Sequence, residues 1–287
     1  MKHEAKVGMS PRSTTCSRKL TKARSDSEPI VRDGCSLSLR GAKPPVCEYG
    51  VKDAGVTVAL VGDSHAAHWF PALEALANES GWRLVPMTKH SCTFVDLRIY
   101  SSRLKREYTE CETWRGNVVK ALQEIEPDLV VVSSHRWFPT MAAADQDPTR
   151  QGKAMARLLD QLPGQVVLLA DTPISRHDVP ACLSRNLKDI RACSSDRAYA
   201  FGRKPSAREK VAARLAGATL IDLSAVICPT TGRCPAVVDG MIVYRDDHHL
   251  TATFSRSLAP ELGALLPRLI EVDCRELPEG CDGNPEE

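Results

Sequence analysis

The sequence contains no run of about 20 consecutive apolar residues, the length that a membrane-spanning helix requires. It also lacks an excess of charge of one sign, because 38 basic and 36 acidic residues leave a formal net charge of +2. This balance argues against a nucleic-acid groove or a polybasic membrane patch. The composition, 43% hydrophobic and 26% charged, excludes wholesale disorder, collagen and coiled coil. A chain of 287 residues is therefore expected to form one globular domain, with or without an appendage.

The start of the chain lacks the apolar core of a signal peptide, since Met1 to Arg40 is polar and basic. Residues 1–34 are rich in Lys, Arg, Ser, Thr and Pro without a hydrophobic period, and we interpret them as a flexible leader or linker. Strand and helix patterns occupy residues 35–272, the predicted folded domain. Residues 273–287 form a predicted acidic C-terminal tail.

Cysteine, by contrast, is abundant, with 11 residues. Ten of them fall into close pairs, namely Cys35 with Cys47, Cys92 with Cys111, Cys182 with Cys193, Cys228 with Cys234 and Cys274 with Cys281, and Cys16 is left over. Close pairing favours disulfides, which persist in oxidising compartments. Free thiols and a metal site are the alternatives, although the two C-x2-4-C knuckles of a zinc site are absent. Proximity does not prove connectivity. Disulfides imply an extracytoplasmic location, yet no export signal is present. Either the signal and anchor lie on a missing upstream part or the cysteine interpretation is wrong, and we favour a soluble domain detached from a longer membrane protein.

Alternating apolar runs and helical patterns predict an α/β fold. Five predicted strands span 56–61, 83–87, 129–132, 165–170 and 218–222. Predicted helices span 66–79, 104–125, 153–162, 206–215 and 251–270, the last bent at Pro260, and 172–206 is predicted to be irregular. Parallel neighbouring strands need helical crossovers, so this alternation predicts an α/β sandwich with a parallel sheet. Working groups are then expected at the carboxyl ends of the strands.

The tetrapeptide Gly62-Asp63-Ser64-His65 lies between the first predicted strand and a helix. A serine at this turn is close to helix N-terminal amides, which are suited to receive the oxyanion of a tetrahedral intermediate. The alternative is an ordinary helix N-cap, which also prefers Asp or Ser. For His65 and His68, substrate contact is one interpretation, and a position on the helix surface is the more common one.

The second candidate block, Tyr244-Arg-Asp-Asp-His-His-Leu250, precedes the last helix. A serine nucleophile needs an imidazole base, and the base needs a carboxylate that fixes its tautomer. Asp246 and His249 have a spacing that allows this contact, and Asp247 and His248 are their near neighbours. The alternative is a solvated charged loop.

These two blocks resemble the first and last motifs of the SGNH (GDSL-like) hydrolase superfamily. The stretch Gly-Asp-Ser-His-Ala-Ala-His-Trp-Phe-Pro-Ala-Leu at 62–73 is similar, more narrowly, to SGNH domains fused to membrane acyltransferase-3 proteins. The resemblance implies a flavodoxin-like three-layer α/β/α sandwich with a sheet of about five strands. It also implies Ser64 as nucleophile, His249 as general base and acid, and Asp246 as the group that orients His249, without metal or cofactor.

Two features of the family are missing. Many relatives have oxyanion donors from a glycine after the second strand and an asparagine after the third, whereas this chain has Met87-Thr-Lys-His-Ser-Cys92 and Ser133-Ser-His-Arg-Trp137. The further candidates for oxyanion or substrate contact are Asp63, His135, Arg136 and Trp137. An Arg136 packed on Trp137 for structural reasons is the alternative. The Ser64 N–H is the one donor that the sequence supports.

The resemblance therefore implies a serine esterase or O-acyltransferase that acts on an acyl donor and a cell-surface glycan. A membrane acyltransferase-3 domain, upstream or in trans, is the expected partner, nucleic acid is not, and the expected location is the cell surface or membrane exterior. A glycan-binding SGNH module with weak or no catalysis is the first alternative. A metallophosphoesterase is the second, and it would need several further Asp, Asn and His ligands.

Overall fold

The apolar runs form one mixed sheet at the centre of the domain. The computed structural model describes residue 20, residues 22–202 and residues 206–269. The strands of the sheet are β1 (Ser36–Leu37), β2 (Tyr49–Gly50), β3 (Thr57–Gly62), β4 (Arg83–Lys89), β5 (Leu129–Ser133), β6 (Gln165–Leu169) and β7 (Thr219–Ile221). Their order is β1-β4-β3-β5-β6-β7, and every pair along this path is parallel. β2 pairs antiparallel with the outer edge of β4.

All five predicted strands are present, so the prediction of a parallel sheet is confirmed. The two strands that the sequence analysis missed, β1 and β2, have two residues each, which is too short for a hydrophobic period to show. Three two-stranded ribbons lie outside the sheet and pair Tyr100–Ser101 with Arg106–Glu107, Ser195–Asp196 with Arg233–Cys234, and Val237–Val238 with Met241–Ile242.

Helices cover both faces of the sheet. The α-helices are Pro29–Arg32, Ser64–Ala67, Phe70–Ser80, Thr109–Ile125, Pro148–Leu159, Val179–Arg185, Arg197–Phe201, Ala207–Ala216, Ser224–Ile227, Ala252–Ser257 and Ala259–Gly263, and short 3-10 helices span Ala143–Gln146 and Ile190–Cys193. Successive residues of β3 face opposite layers. Val58 and Leu60 pack with Phe70 on one face, and Ala59 and Val61 pack with Trp114 on the other. The three-layer α/β/α prediction is confirmed.

Four predicted helices differ from the structure in their bounds. The helix predicted at 66–79 is divided into Ser64–Ala67 and Phe70–Ser80, and the helix predicted at 153–162 spans Pro148–Leu159. The helix predicted from Leu104 begins at Thr109, because Arg106–Glu107 pairs instead with Tyr100–Ser101. The predicted closing helix divides at Leu258 into two short helices rather than bending at Pro260, and Pro260 lies in the first turn of the second. The segment predicted to be irregular, 172–206, contains the helices at 179–185 and 197–201.

Four of the five predicted cysteine pairs are disulfides in the structure. They join Cys35 to Cys47, Cys92 to Cys111, Cys182 to Cys193 and Cys228 to Cys234. The free-thiol and metal alternatives are therefore wrong for these eight cysteines.

The fifth predicted pair differs from the other four. Cys274 and Cys281 both lie outside the described residues, as does the leftover Cys16. The disulfide between Cys274 and Cys281 therefore stays a prediction.

The described part of the predicted leader contacts the domain. Ile30 is fully buried in the core cluster on one face of the sheet. Glu28, 2% exposed, forms an ion pair with Arg245, next to Asp246. The boundaries predicted at 34 and 272 stay predictions. Among the described residues, no helix combines the length and the apolar character needed to cross a membrane.

Candidate active site

Gly62 ends β3 at the carboxyl edge of the sheet, where neighbouring strands approach it closely. It pairs with Thr88 on β4 and with Ser133 on β5. Its φ of 144° lies in a region that L side chains rarely adopt, and a Cβ there would lie 1.8 Å from the Ser133 carbonyl oxygen. Only glycine satisfies both conditions. The chain therefore turns directly from a central strand into the short helix that begins at Ser64.

Three side chains predicted from the two blocks meet at this turn. The Oγ atom of Ser64 lies 2.8 Å from Nε2 of His249, 185 residues away in the sequence. Nδ1 of His249 lies 2.7 Å from an Asp246 carboxylate oxygen. Because that carboxylate accepts the hydrogen on Nδ1, Nε2 is free to accept the Ser64 hydroxyl proton. The geometry is that of a nucleophile, a base and an orienting acid.

Backbone hydrogen bonds close the loop that carries Asp246 and His249. The Arg245 N–H donates to the His249 carbonyl at 3.0 Å, and Tyr244 and Leu250 form an antiparallel bridge. The other Asp246 oxygen accepts from the N–H groups of His248 and His249, at 2.9 and 2.7 Å. Burial raises the pKa of Asp246, but these bonds and that from the His249 ring outweigh it, so the pKa lies well below its ordinary value. The solvated-loop alternative does not describe this segment.

Asp63 connects the start of the short helix to the segment that follows β5. Its carboxylate accepts from the His65 N–H at 2.8 Å, which caps the helix, and from the His135 N–H at 2.9 Å. Asp63 is 2% exposed, and burial raises its pKa. Asp63 is therefore the N-cap of the short helix, as the alternative in the sequence analysis predicted. The nucleophile prediction concerns the next residue, Ser64. Asp63 holds the turn, and its oxygens are already used by backbone donors.

A second imidazole–carboxylate pair lies directly behind the first. Nδ1 of His65 lies 2.6 Å from an oxygen of Asp171, which follows β6, and both side chains are at most 2% exposed. Nε2 of His65 lies 2.9 Å from Nδ1 of His248. The prediction that His65 is a surface histidine is wrong, because the short helix turns this residue toward the sheet. His68 is likewise 1% exposed.

Arg136 forms hydrogen bonds within the protein that stabilise the fold. Its backbone N–H and Nε donate to Asp171 at 2.8 and 3.0 Å, and its other nitrogens donate to the carbonyl groups of Asp171, Thr172 and Phe201. The guanidinium carbon lies 4.7 Å from the ring centroid of Trp137, which is the structural alternative from the sequence analysis. Arg136 does not line the cavity beside Ser64.

That cavity has a volume of about 230 Å³ and contains the Ser64 and His249 side chains in its wall. His135 and Trp137 from the predicted set also line it, as do His248 and Ser91. Trp137 is 42% exposed, so its ring is available to a ligand. His135 stacks on His65 with ring centroids 4.2 Å apart, and burial lowers the pKa of His135 well below its ordinary value. The wall of this cavity is therefore polar and aromatic, and Arg103 adds a positive charge to it.

Ser91, which sequence reasoning overlooked, occupies the position where the family glycine was sought. It follows β4 and has a φ of +53°, a left-handed conformation that favours glycine. Its neighbours His90 and Cys92 donate their N–H groups to Leu37 and Lys89, whereas no oxygen of the described residues accepts from the Ser91 or Ser64 N–H. A backbone donor does not depend on side-chain identity, so the missing glycine did not exclude it.

Three groups among the described residues lie close enough to hold a metal ion, namely His65/His248/His249, His65/His135/Asp171 and Asp246/Asp247/His248. The chain's own hydrogen bonds already account for most of these atoms, as the distances from His65 and His249 show. We assign no metal to them.

Comparison with known proteins identifies the family of the chain and a similar fold. No curated protein matches the chain. Among solved structures, the chain is similar to one described as "Structure of Salmonella ser. Paratyphi A lipopolysaccharide acetyltransferase periplasmic domain", with a TM-score of 0.62 and 15% identity over 88% of this chain and 97% of that chain. At this identity the likeness shows the fold. The family model described as "SGNH domain (fused to AT3 domains)" matches residues 32–264. The chain therefore belongs to the family of SGNH domains that occur fused to AT3 domains.

Proposed function

We propose that this domain transfers an acyl group through Ser64, as a serine O-acyltransferase or esterase. The observation that carries the proposal is the continuous hydrogen-bonded chain from Ser64 Oγ through His249 to Asp246, with distances of 2.8 and 2.7 Å, in the wall of a cavity. An alcohol becomes a useful nucleophile only when an oriented base takes its proton in this way.

The reaction proceeds in two steps. Ser64 Oγ attacks the carbonyl carbon of an acyl donor while its proton moves to His249 Nε2, and that proton then passes to the departing oxygen as the acyl–oxygen bond breaks. In the second step His249 Nε2 takes the proton of an acceptor hydroxyl as its oxygen attacks acyl-Ser64, and that proton then passes to Ser64 Oγ as the acyl–serine bond breaks. Positioned proton transfer of this kind contributes about 10²–10⁴-fold to the rate. Acyl transfer through serine requires no metal or organic cofactor.

The oxyanion of each tetrahedral intermediate requires donors that do not have to reorganise. The N–H of Ser64 stands at a helix start, and the N–H of Ser91 follows β4 in the wall of the same cavity. We assign these two amides as the oxyanion donors. Each such donor contributes about 10²–10³-fold, so the absence of the family asparagine does not leave the oxyanion without stabilisation.

Two further observations support a glycan acceptor outside the cytoplasm. Four disulfides favour an oxidising compartment. The family is named for its fusion to AT3 domains, and the similar solved structure is the periplasmic domain of a lipopolysaccharide acetyltransferase. We therefore propose an acetyl or related acyl group as cargo, a cell-surface glycan as acceptor and a membrane acyltransferase-3 domain as partner. Trp137 provides the exposed ring on which a sugar would stack.

The test compares Ser64→Ala with Ser102→Ala, because Ser102 lines the same cavity without an imidazole partner. We expect esterase turnover and labelling by an active-serine phosphonate probe to be lost in Ser64→Ala and retained in Ser102→Ala, with unchanged circular dichroism in both. Full turnover in Ser64→Ala would refute the proposal. A wild-type protein that binds glycan but leaves Ser64 unlabelled would instead support the binding-module alternative. Activity lost on chelation and restored by a metal would support the metallophosphoesterase.

A further inference from the structure

The Asp171–His65–His248 chain has no task in the proposed reaction, although it ends at the catalytic cavity. Asp171 and His65 are almost completely buried, and their contact of 2.6 Å is among the shortest in the site. Burying a carboxylate and an imidazole has a large desolvation cost unless each is fully paired. The exposed end of the chain is His248, whose side chain is 30% exposed and lines the cavity with Ser64 and His249.

The hydrogen bonds determine which nitrogen of each ring carries a proton. An ionised carboxylate only accepts, so His65 Nδ1 donates to Asp171. Asp171 is held ionised because burial, which raises its pKa, is outweighed by the charges of His65 and Arg136, and its pKa lies well below its ordinary value. Burial lowers the pKa of His65, but Asp171 outweighs it and the net pKa lies above its ordinary value. The raised pKa favours the imidazolium form of His65, in which Nε2 also carries a proton.

That proton points at Nδ1 of His248 and makes this nitrogen an acceptor. Burial and the neighbouring rings of His249 and His65 lower the pKa of His248 to about 3, so its ring is neutral. A neutral imidazole whose Nδ1 accepts must carry its one proton on Nε2. The nearest acidic oxygen to Nε2, on Asp247, lies 3.6 Å away, which is beyond hydrogen-bond distance. The Nε2–H of His248 is thus a donor without a partner among the described residues.

We propose that His248 is a substrate-binding catalytic residue whose Nε2–H donates to the oxygen that leaves the acyl donor and to the oxygen that attacks acyl-Ser64. Both oxygens pass the same place, because His249 Nε2 gives its proton to the first and takes a proton from the second. The His248 and His249 ring centroids lie 3.9 Å apart, and both residues line the cavity that contains Ser64. His65 and Asp171 are positioning residues that hold the His248 tautomer. The inference rests on the proposed function.

The kinetic test uses His248→Ala, with His248→Gln as matched control, because the glutamine amide can present an N–H near the position of Nε2. A hydrogen bond to an oxygen that gains negative charge is worth about 1.5–3 kcal/mol, so His248→Ala should lose roughly tenfold to a hundredfold in kcat/KM on alkyl esters. The pre-steady-state burst of p-nitrophenyl ester acylation should change by less than about threefold, because that leaving group departs without help. His248→Gln should recover most of the alkyl-ester rate.

Equal losses with both leaving groups, or no loss with either, would overturn the inference. A second measurement avoids any change to the histidines. In Ser64→Ala labelled with ¹⁵N-histidine, NMR should find the His248 proton on Nε2, and a proton on Nδ1 would overturn the inference. The two proposals fail separately. Activity in Ser64→Ala contradicts the proposed function, whereas an inactive Ser64→Ala with no leaving-group dependence in His248→Ala contradicts only the role of His248.

Discussion

Replacing Asp171 with asparagine keeps the side-chain shape and removes one buried charge. The Asp171 side chain is 2% exposed and bonds to both His65 and Arg136, at 2.6 and 3.0 Å. Neutralising one member of a buried ion pair leaves the other uncompensated, and the cost is about 3–5 kcal/mol of unfolding free energy. The matched control is Asp96→Asn, where the carboxylate bonds to Arg157 at 2.7 Å but both side chains are more than half exposed. That change should cost about 0–1 kcal/mol.

Urea unfolding followed by circular dichroism over a range of pH provides a sharper test. The pKa of Asp171 is lowered by folding, so its contribution is present above its unfolded value of 3.8 and is lost as pH falls through the folded pKa. The pKa of His65 is raised, so its contribution is present below 6.5 and is lost as pH rises through the folded pKa. The difference between wild type and Asp171→Asn should therefore be largest between pH 3.8 and 6.5.

Above that window the difference should shrink without vanishing, because the Arg136–Asp171 contact persists. A loss in Asp171→Asn no larger than that in Asp96→Asn would refute the reasoning about the buried pair. A large loss of unfolding free energy that does not change with pH would show that Asp171 does not raise the pKa of His65.

Three further predictions concern Gly62, Ser91 and the disulfide between Cys92 and Cys111. Gly62→Ala should cost about 3–5 kcal/mol in urea unfolding from backbone strain and overpacking, whereas Gly55→Ala, with nothing within 4 Å of the added methyl group, should change stability by less than about 0.5 kcal/mol. A loss of unfolding free energy in Gly62→Ala as small as that in Gly55→Ala would contradict the close approach of Gly62 to the Ser133 carbonyl. Ser91→Gly should keep esterase activity and raise stability by about 1 kcal/mol, since it relieves the positive φ and keeps the N–H; a loss of activity would show that the hydroxyl is needed. Removing the Cys92–Cys111 disulfide, which closes 19 residues, by the double change to alanine should cost about 3 kcal/mol, measured against the wild type under oxidising conditions. An unchanged midpoint of urea unfolding would indicate that helix packing alone holds the segment around Ser91 in place.

The meeting of Ser64, His249 and Asp246 was predictable because each residue lies beside a strong local pattern. Ser64 follows a fully buried strand that ends in glycine, and Asp246 and His249 lie in one short charged block before a helix. Such signals require only neighbouring residues. The pairing of cysteines was predictable for a related reason, since each described disulfide closes a short loop of 6 to 19 residues.

The features that sequence analysis missed depend on the direction of a side chain or of a backbone N–H in the folded protein. His65 was interpreted as a surface residue because its helical context does not show that Asp171, 106 residues later, lies beneath it. The direction of the Arg136 guanidinium toward Asp171, away from the cavity, is likewise set by where β5 and β6 end. Ser91 was overlooked because a backbone φ, and with it the aim of an N–H, is not encoded by residue type alone.

Hydrophobic period and turn chemistry are local properties, so the sequence was sufficient to predict the five strands that alternate with helices, the parallel sheet and Ser64 as candidate nucleophile. The contacts from Asp171 through His65 to His248 were not predictable from such local patterns. They join residues 106 and 183 positions apart, and a hydrogen bond exists only where folding brings two atoms to within about 3 Å.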